Sequence, residues 1–277
     1  MGNCMNDVLS VQVKNNSIWV QKYDRHLEKE FIKELFSKKY NWLSKQVNII
    51  DVGCGNGRSA ILLHEILGDN AIIHGIDKCK ANVCCAQQLI INSTITFEFV
   101  DAFNFFEHPC NQKKFDIAFF SWSLFDMCDE LDFTKKELCL QKLIEMVQRS
   151  LTPHGMIIVL QPTKGGIFEK LLSKFMPGSD ADYEMVHNFL IKSGFDGAKS
   201  AFPTQNDKWT IWSKFSYNSS DEIFLGVSSI LYLEQKQTIS REFFDKVFFD
   251  FLKEHDIGID NLELTDCVNL YYKFTEE

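Results

Sequence analysis

No apolar run in the 277-residue chain approaches the roughly 18 consecutive positions that a membrane-spanning helix needs, so no transmembrane helix is expected. The N-terminus lacks the basic flank and long apolar stretch of a secretory signal. "MGNCMN" offers Gly2 and Cys4, but Asn6 stands where the myristoylation pattern wants Ser or Thr. The nine cysteines are an odd number and form no C-x-x-C pair, which fits reduced thiols in a cytoplasm better than disulfides or a structural zinc site. No run of Lys or Arg exceeds two residues and the net charge is −9, so a broad phosphate-binding surface is not expected and nucleic acid is a poor partner. Internal repeats, low-complexity tracts and clusters with metal-ligand spacing are also lacking, and no metal is expected.

What is present is a regular alternation. Residues 24–37 carry Leu27, Phe31, Ile32, Leu35 and Phe36 at helical spacing. From Val47 onward, strand-like runs "VNIIDV", "AIIHGID", "ITFEFVDA", "FDIAFFS" and "MIIVLQP" alternate with helical patterns near 57–68, 79–91 and 135–150. That order predicts βαβ units, with a mostly parallel sheet covered on both faces. Beyond Pro162 the rhythm changes. "ADYEMVHNFLIKSGF" and "SREFFDKVFFDFLKEH" read as amphipathic helices, the second stacking Phe243, Phe244, Val247, Phe248, Phe251 and Leu252 along one buried face, and "SSDEIFLGVSSIL" opens with a capping box from Ser219 to Glu222. "DCVNLYYKF" reads as a closing strand, and residues 200–217 as a loop or lid.

The least ordinary run is "VNIIDVGCGNGRSAILL". A strand ends on Asp51, and Gly53, Gly55 and Gly57 follow at alternate positions before a helix. The Lys-Ser/Thr of a Walker loop is absent, and the third glycine comes one position too early for G-x-G-x-x-G. Amides at the helix start could meet an anionic group of a ligand. Asp77 closes the next strand, within the window of about 20 residues where a ribose-binding acid is expected, and Asp101 closes the one after. Three acids at three successive strand tips predict a ligand crevice at the C-terminal edge of the sheet. Asp51 could alternatively cap the following turn.

"DVGCGNG", "GID", "VDA" and "FDIAFFSWS", with the turn "LTPHGMIIVL", resemble the motifs of the class I S-adenosylmethionine-dependent methyltransferases over about Val47 to Gln161. His154 replaces a glycine of that turn. The resemblance implies an α/β, Rossmann-like, seven-stranded fold with an added helical or lid region. It divides the chain into an N-terminal helical cap (1–45) and a methyltransferase domain (46–277), with a lid or substrate-binding insertion at 163–255 and the last strand at 264–275. It implies S-adenosyl-L-methionine as cofactor. Gly53, Cys54, Gly55 and Gly57 would let backbone approach its methionine part, and Asp51 would hold its ammonium. Asp77 would bind the ribose, with Lys78 or Ile76 over the adenine. Asp101 would accept from the adenine amino group, the Ala102 amide would read a ring nitrogen, and Ser121 with Trp122 would close the site. Arg58 could pair with the cofactor carboxylate or lie solvated. The accessory layout is similar to that of the histamine N-methyltransferase group of small-amine enzymes, and "KYDRHL" suggests Tyr23 as an aromatic cover.

The Asn/Asp-Pro-Pro-Tyr/Phe run that marks many base- and amide-methylating members of the family is absent, and "SWSLFDMCDE" stands in its place. Trp122, Phe125 and Asp126 are therefore expected to line an acceptor pocket. Asp126 could steer a cationic amine, act as base, or cap the helix that follows. Trp209 and Trp212 could hold a ring or cation, or simply be buried, and His26 and His187 could accept protons or be structural. "DMCDE" only loosely imitates the paired acids of polyamine synthases. The expected activity is in-line methyl transfer to a small-molecule acceptor in the cytoplasm. The alternatives are a protein or peptide acceptor and a catalytically silent cofactor-binding module.

Overall fold

The computed structural model describes residues 25–38, 42–124, 127, 133–163, 165–175, 180–199, 208–235, 238–258 and 262–275. After helix α1 (His26–Lys38), the chain alternates: β1 (Val47–Val52), α2 (Arg58–Leu67), β2 (Ala71–Asp77), α3 (Lys80–Leu89), β3 (Ile95–Phe99), α4 (Ala102–Glu107), β4 (Phe115–Ser121), α5 (Phe133–Ser150) and β5 (Leu151–Thr163). Then come α6 (Ile167–Ser173), α7 (Asp180–Lys192), β6 (Asp196–Gly197), β7 (Thr210–Tyr217), α8 (Ser220–Gln235), α9 (Arg241–Glu254) and β8 (Leu262–Phe274).

The sheet runs β3-β2-β1-β4-β5-β8, and β6 and β7 lie end to end along the free edge of β8. It is thus seven positions wide and built from eight strands. The first five strands are parallel, while β8 is antiparallel to β5, with Met156 opposite Phe274 and Thr163 opposite Cys267. Continuous apolar runs make this possible: Ile49, Ile50 and Val52 of β1 are fully buried, as strands covered on both faces must be. On one face α1, α2, α8 and α9 pack through Phe36, Leu63, Ile223 and Phe244; on the other α4, α5 and α7 pack through Phe105, Leu143 and Leu190. Among the described residues no helix is long and apolar enough to cross a membrane.

Three sequence expectations change. The run "ITFEFVDA" stops being a strand at Phe99, because Asp101 caps α4 instead: its Oδ1 accepts from the amides of Phe103 (2.9 Å) and Asn104 (3.3 Å). Residues 210–217, expected in a loop or lid, form β7 against β8, where Thr210, Ile211 and Tyr217 are buried; residues 200–207 lie outside the described set. Phe243, expected on the buried stripe of α9, is half exposed, whereas Phe244, Phe248 and Phe251 are buried. The capping box does form at the start of α8, with the Glu222 amide donating to Ser219 Oγ at 3.4 Å, though the Glu222 carboxylate reaches the Asn218 amide rather than that of Ser219.

Candidate functional site

The turn between β1 and α2 is folded by its glycines. Gly53, Gly55 and Gly57 have φ of 70°, 54° and 86°, a region costly to side chains with a Cβ. The three differ in what surrounds them. A Cβ on Gly57 would lie 2.4 Å from Ile90 Cδ1, and one on Gly53 would lie 2.4 Å from Ser123 Cβ. A Cβ on Gly55 would meet nothing within 4 Å. Gly53 and Gly57 serve packing, and Gly55 faces open space.

The tip of β2 holds this turn. The amides of Gly53 and Cys54 both donate to the Ile76 carbonyl (2.8 and 3.0 Å), the Gly57 amide donates to the Cys54 carbonyl (2.9 Å), and the Gly55 amide donates to Asp77 Oδ2 (2.8 Å). The amides of Gly53, Cys54 and Gly55 are thus taken by the tip of β2, and the Gly57 amide closes the turn on itself. Asp77 Oδ1 accepts from the Cys79 amide at 2.7 Å, so one carboxylate ties the turn to the start of α3. Burial raises the Asp77 pKa against the lowering pull of those amides.

Register explains how the three acids stand. Asp51 pairs with Gly75, two residues short of Asp77, and Asp77 pairs with Phe99, two short of Asp101. Alternation then places Asp51 and Asp77 toward the same face, and Asp101 follows two residues past the end of β3 as the cap of α4. Asp51 is the deepest. It is fully buried, its Oδ2 accepts from Ser59 Oγ at 2.6 Å, and its Oδ1 has no hydrogen-bond partner among the described residues. Desolvation pushes its pKa up to about 7, aided by the nearby Asp77 charge and opposed by Ser59 and Arg25. The Cys54 thiol, buried beside both acids, is pushed far up and is inert packing at neutral pH.

Beside the turn lies a charge cluster. Glu28 of α1 is fully buried between Arg25 (3.7 Å) and Arg58 (3.6 Å), and the Arg58 guanidinium sits 5.3 Å over the Trp122 ring. Arg58 is thus neither solvated nor free for a ligand carboxylate alone; it joins α1 to the segment after β4. That segment is fixed in turn: Trp122, in the left-handed region at φ 58°, donates its amide to the Leu160 carbonyl (2.8 Å), and Ser123 Oγ donates to the Val52 carbonyl (2.5 Å). Ser121 ends β4 beside Leu160. Lys78 is exposed just past β2. Ala102 opens α4, where its amide has no carbonyl one turn back to bond.

Of the expected site residues, the structure thus gathers Asp51, Gly53, Cys54, Gly55, Gly57, Asp77, Lys78, Asp101, Ala102, Ser121 and Trp122 along one sheet edge. Tyr23, Phe125 and Asp126 lie outside the described residues. Trp209 and Trp212 part company: Trp212 lies in β7 opposite Cys267, while Trp209 precedes the strand and packs on Tyr272 and Phe31. His187 is structural: burial lowers its pKa and its Nδ1 pairs with Tyr271 Oη at 2.8 Å. Sequence reasoning missed Arg25, Glu28, Ser59 and Ser123. Nothing in their local spacing marks them, because each acts across the fold. No group of three or more His, Cys, Asp or Glu gathers as a metal set among the described residues.

The fit to a nucleoside-bearing cofactor with a cationic methionine end is good on the structure's own terms: a buried carboxylate oxygen without a partner, a glycine whose Cβ direction is open, and acids at the next two strand tips. A family model described as a methyltransferase domain matches residues 43–214. No curated protein matches the chain in sequence. Among solved structures, a protein from Anaeromyxobacter dehalogenans assigned as a type II methyltransferase is 13% identical, with 88% of this chain and 96% of that one covered at a TM-score of 0.52. The YcgJ protein from Bacillus subtilis is 13% identical, with 91% and 99% covered at a TM-score of 0.50. At such identities the likeness speaks for the fold.

Proposed function

The chain belongs to the methyltransferase-domain family, and from that premise we propose that it transfers the methyl group of S-adenosylmethionine to a nitrogen or oxygen nucleophile of a small-molecule acceptor. The observation that carries the cofactor assignment is Asp51 Oδ1, fully buried and unpartnered beneath a turn whose Gly55 faces open space. Bound there, the cofactor supplies an activated methyl carbon, and little covalent chemistry is left to the protein.

What the chain contributes is placement. Asp51 receives the ammonium of the methionine end, and the ionised carboxylate this requires is favoured by the cation itself. Asp77, already fixed by two amides, offers the outer lone pairs of its oxygens to the ribose hydroxyls. Asp101 has one oxygen committed to capping α4 and the other, Oδ2, left for the adenine amino group. The pair Ser121–Trp122 stands where the acceptor side begins, held to β5 by the Trp122 amide. Orienting the nucleophile in line with the methyl carbon and excluding water supplies the rate enhancement. Tyr23 as a cover, and Asp126 as a base or cation guide, complete the proposal.

Calorimetry with S-adenosylmethionine and S-adenosylhomocysteine tests the cofactor half, with micromolar-range binding expected. Incubation with labelled cofactor and separate pools of amines, phenols and peptides tests the acceptor half. Transfer to the amine or phenol pool supports the small-molecule reading. Transfer to peptides alone replaces it, and binding without any transfer leaves a silent cofactor module.

A further inference from the structure

On the α7 side of the sheet, β5, β8 and β7 carry two neighbouring rows of polar side chains. Gln161 stands opposite Asn269, which stands opposite Thr210; one step along, Thr163 stands opposite Cys267, which stands opposite Trp212. The same three strands turn Leu160, Val268 and Ile211 to the other face, where they join an apolar core. A polar floor of this size inside a sheet needs an internal account of its hydrogen bonds.

Most of that account closes. Thr210 Oγ1 donates to Asn269 Oδ1 (2.7 Å), and Asn269 Nδ2 donates to Tyr271 Oη (3.0 Å), which pairs with His187 Nδ1. The Cys267 thiol donates to the Thr163 carbonyl. Three buried atoms are left over: Gln161 Oε1, Gln161 Nε2 and Trp212 Nε1 have no hydrogen-bond partner among the described residues, and Gln161 is only 2% exposed. A side-chain amide with neither of its polar atoms used is a costly thing to bury, and two such residues on one face point to a ligand that pairs with them.

The place suits an acceptor. Gln161 directly follows Leu160, whose carbonyl receives the Trp122 amide, so the floor starts beside the segment that ends β4. Gln161 and Trp212 stand on strands two inter-strand steps of about 4.8 Å apart, with Asn269 and Cys267 of β8 in the row between them. The chemistry is also specific. The six side chains of the two rows are all uncharged, so an ammonium or carboxylate seated there would find no counter-ion in either row. Two unused donor nitrogens and one unused acceptor oxygen match a neutral carbonyl with an adjacent N–H.

We infer that Gln161 and Trp212 form the recognition floor for the methyl acceptor, and that this acceptor is a neutral molecule with an amide-type edge: a carboxamide, a lactam or an equivalent ring N–H and C=O. The inference rests on the methyltransferase reading above and specifies its substrate class. Gln161 and Trp212 are specificity residues, not groups that move protons.

The test uses the full chain. S-adenosylhomocysteine is first titrated into wild type, Gln161→Leu, Gln161→Met and Trp212→Phe, with affinities within twofold of one another expected. The loaded proteins are then titrated by NMR with 2-pyridone and benzamide, and with phenethylamine and benzoate as charged counterparts. Wild type should bind 2-pyridone and benzamide at least tenfold more tightly than either charged probe. Both Gln161 variants should lose at least tenfold of that affinity, and Trp212→Phe about threefold. Both Gln161 variants should also melt above wild type without ligand, since an unpaired buried amide is gone. Equal binding of all four probes to wild type, or unchanged amide binding in the Gln161 variants, overturns the inference while leaving the methyltransferase reading intact. Failure of wild type to bind S-adenosylhomocysteine overturns both.

Discussion

Replacing Asp51 with Asn should stabilise the cofactor-free protein above neutral pH while weakening its grip on the cofactor. Asp51 titrates near 3.8 when unperturbed and is pushed up to about 7 in the fold, chiefly because it is fully buried. It therefore binds its proton more tightly folded than unfolded. Stability is unaffected below about pH 4 and is lost progressively as pH rises to about 7, where the folded state too must ionise. A shift of about three pKa units corresponds to roughly 4 kcal/mol of lost stability at pH 8. The Asn side chain keeps an acceptor for Ser59 Oγ and never ionises, but its amide N–H groups bring a desolvation cost of about 1–3 kcal/mol. The net expectation is a variant more stable than wild type by about 1–3 kcal/mol at pH 8 and less stable by a similar amount at pH 4. Urea unfolding at pH 4, 6, 7 and 8, extrapolated linearly to water, measures this directly. Parallel profiles for the two proteins would refute the reasoning, because they would mean that Asp51 is not the buried titrating group. At pH 8 the variant should also bind S-adenosylhomocysteine at least tenfold more weakly, about 1.4 kcal/mol, since a neutral amide replaces a carboxylate facing an ammonium.

Gly57→Ala should cost about 2–5 kcal/mol in unfolding experiments, from a left-handed backbone and a Cβ driven into Ile90 and Phe97. Gly55→Ala should cost only the backbone part, about 1–2 kcal/mol, yet lose cofactor affinity, since its Cβ enters the space left for the ligand; calorimetry showing intact binding would argue against that placement. Asp77→Asn should lower both melting temperature and cofactor affinity, the latter by about 1–3 kcal/mol, because the Gly55 and Cys79 amides reach different oxygens of Asp77 and in Asn one of these is replaced by an NH2 donor. Glu28→Ala leaves the partly buried Arg25 and Arg58 without their shared carboxylate and should destabilise the fold by about 3 kcal/mol by chemical denaturation; a loss under 1 kcal/mol would show the cluster to be of no structural weight.

The parallel half of the sheet was readable because its strands are short apolar runs and its helices have clear apolar stripes, and because glycine at 53, 55 and 57 has few uses other than a left-handed turn. Asp51 and Asp77 were readable for the same reason, since the ends of their strands are visible and alternation fixes their face. What escaped was non-local. That Asp101 caps a helix depends on the chain turning at Val100. β7 was hidden because "TIWSKFSY" sets Thr, Trp, Lys and Ser against Ile, Ser, Phe and Tyr, a weak apolar contrast, and only pairing with β8 settles it. Gln161 was in view, an amide inside the apolar run "MIIVLQP", but its isolation becomes evident only when its neighbours prove to be bonded to one another.

The account turns on the claim that the strand tips at 51, 77 and 101 surround one cofactor. A crystal structure of the chain grown with S-adenosylhomocysteine measures this most directly. The ammonium is predicted within hydrogen-bonding distance of Asp51, directly or through one water, with the ribose at Asp77 and the adenine amino group at Asp101. A ligand bound away from this edge, or a Gly55 face filled by protein side chains in the complex, would contradict it.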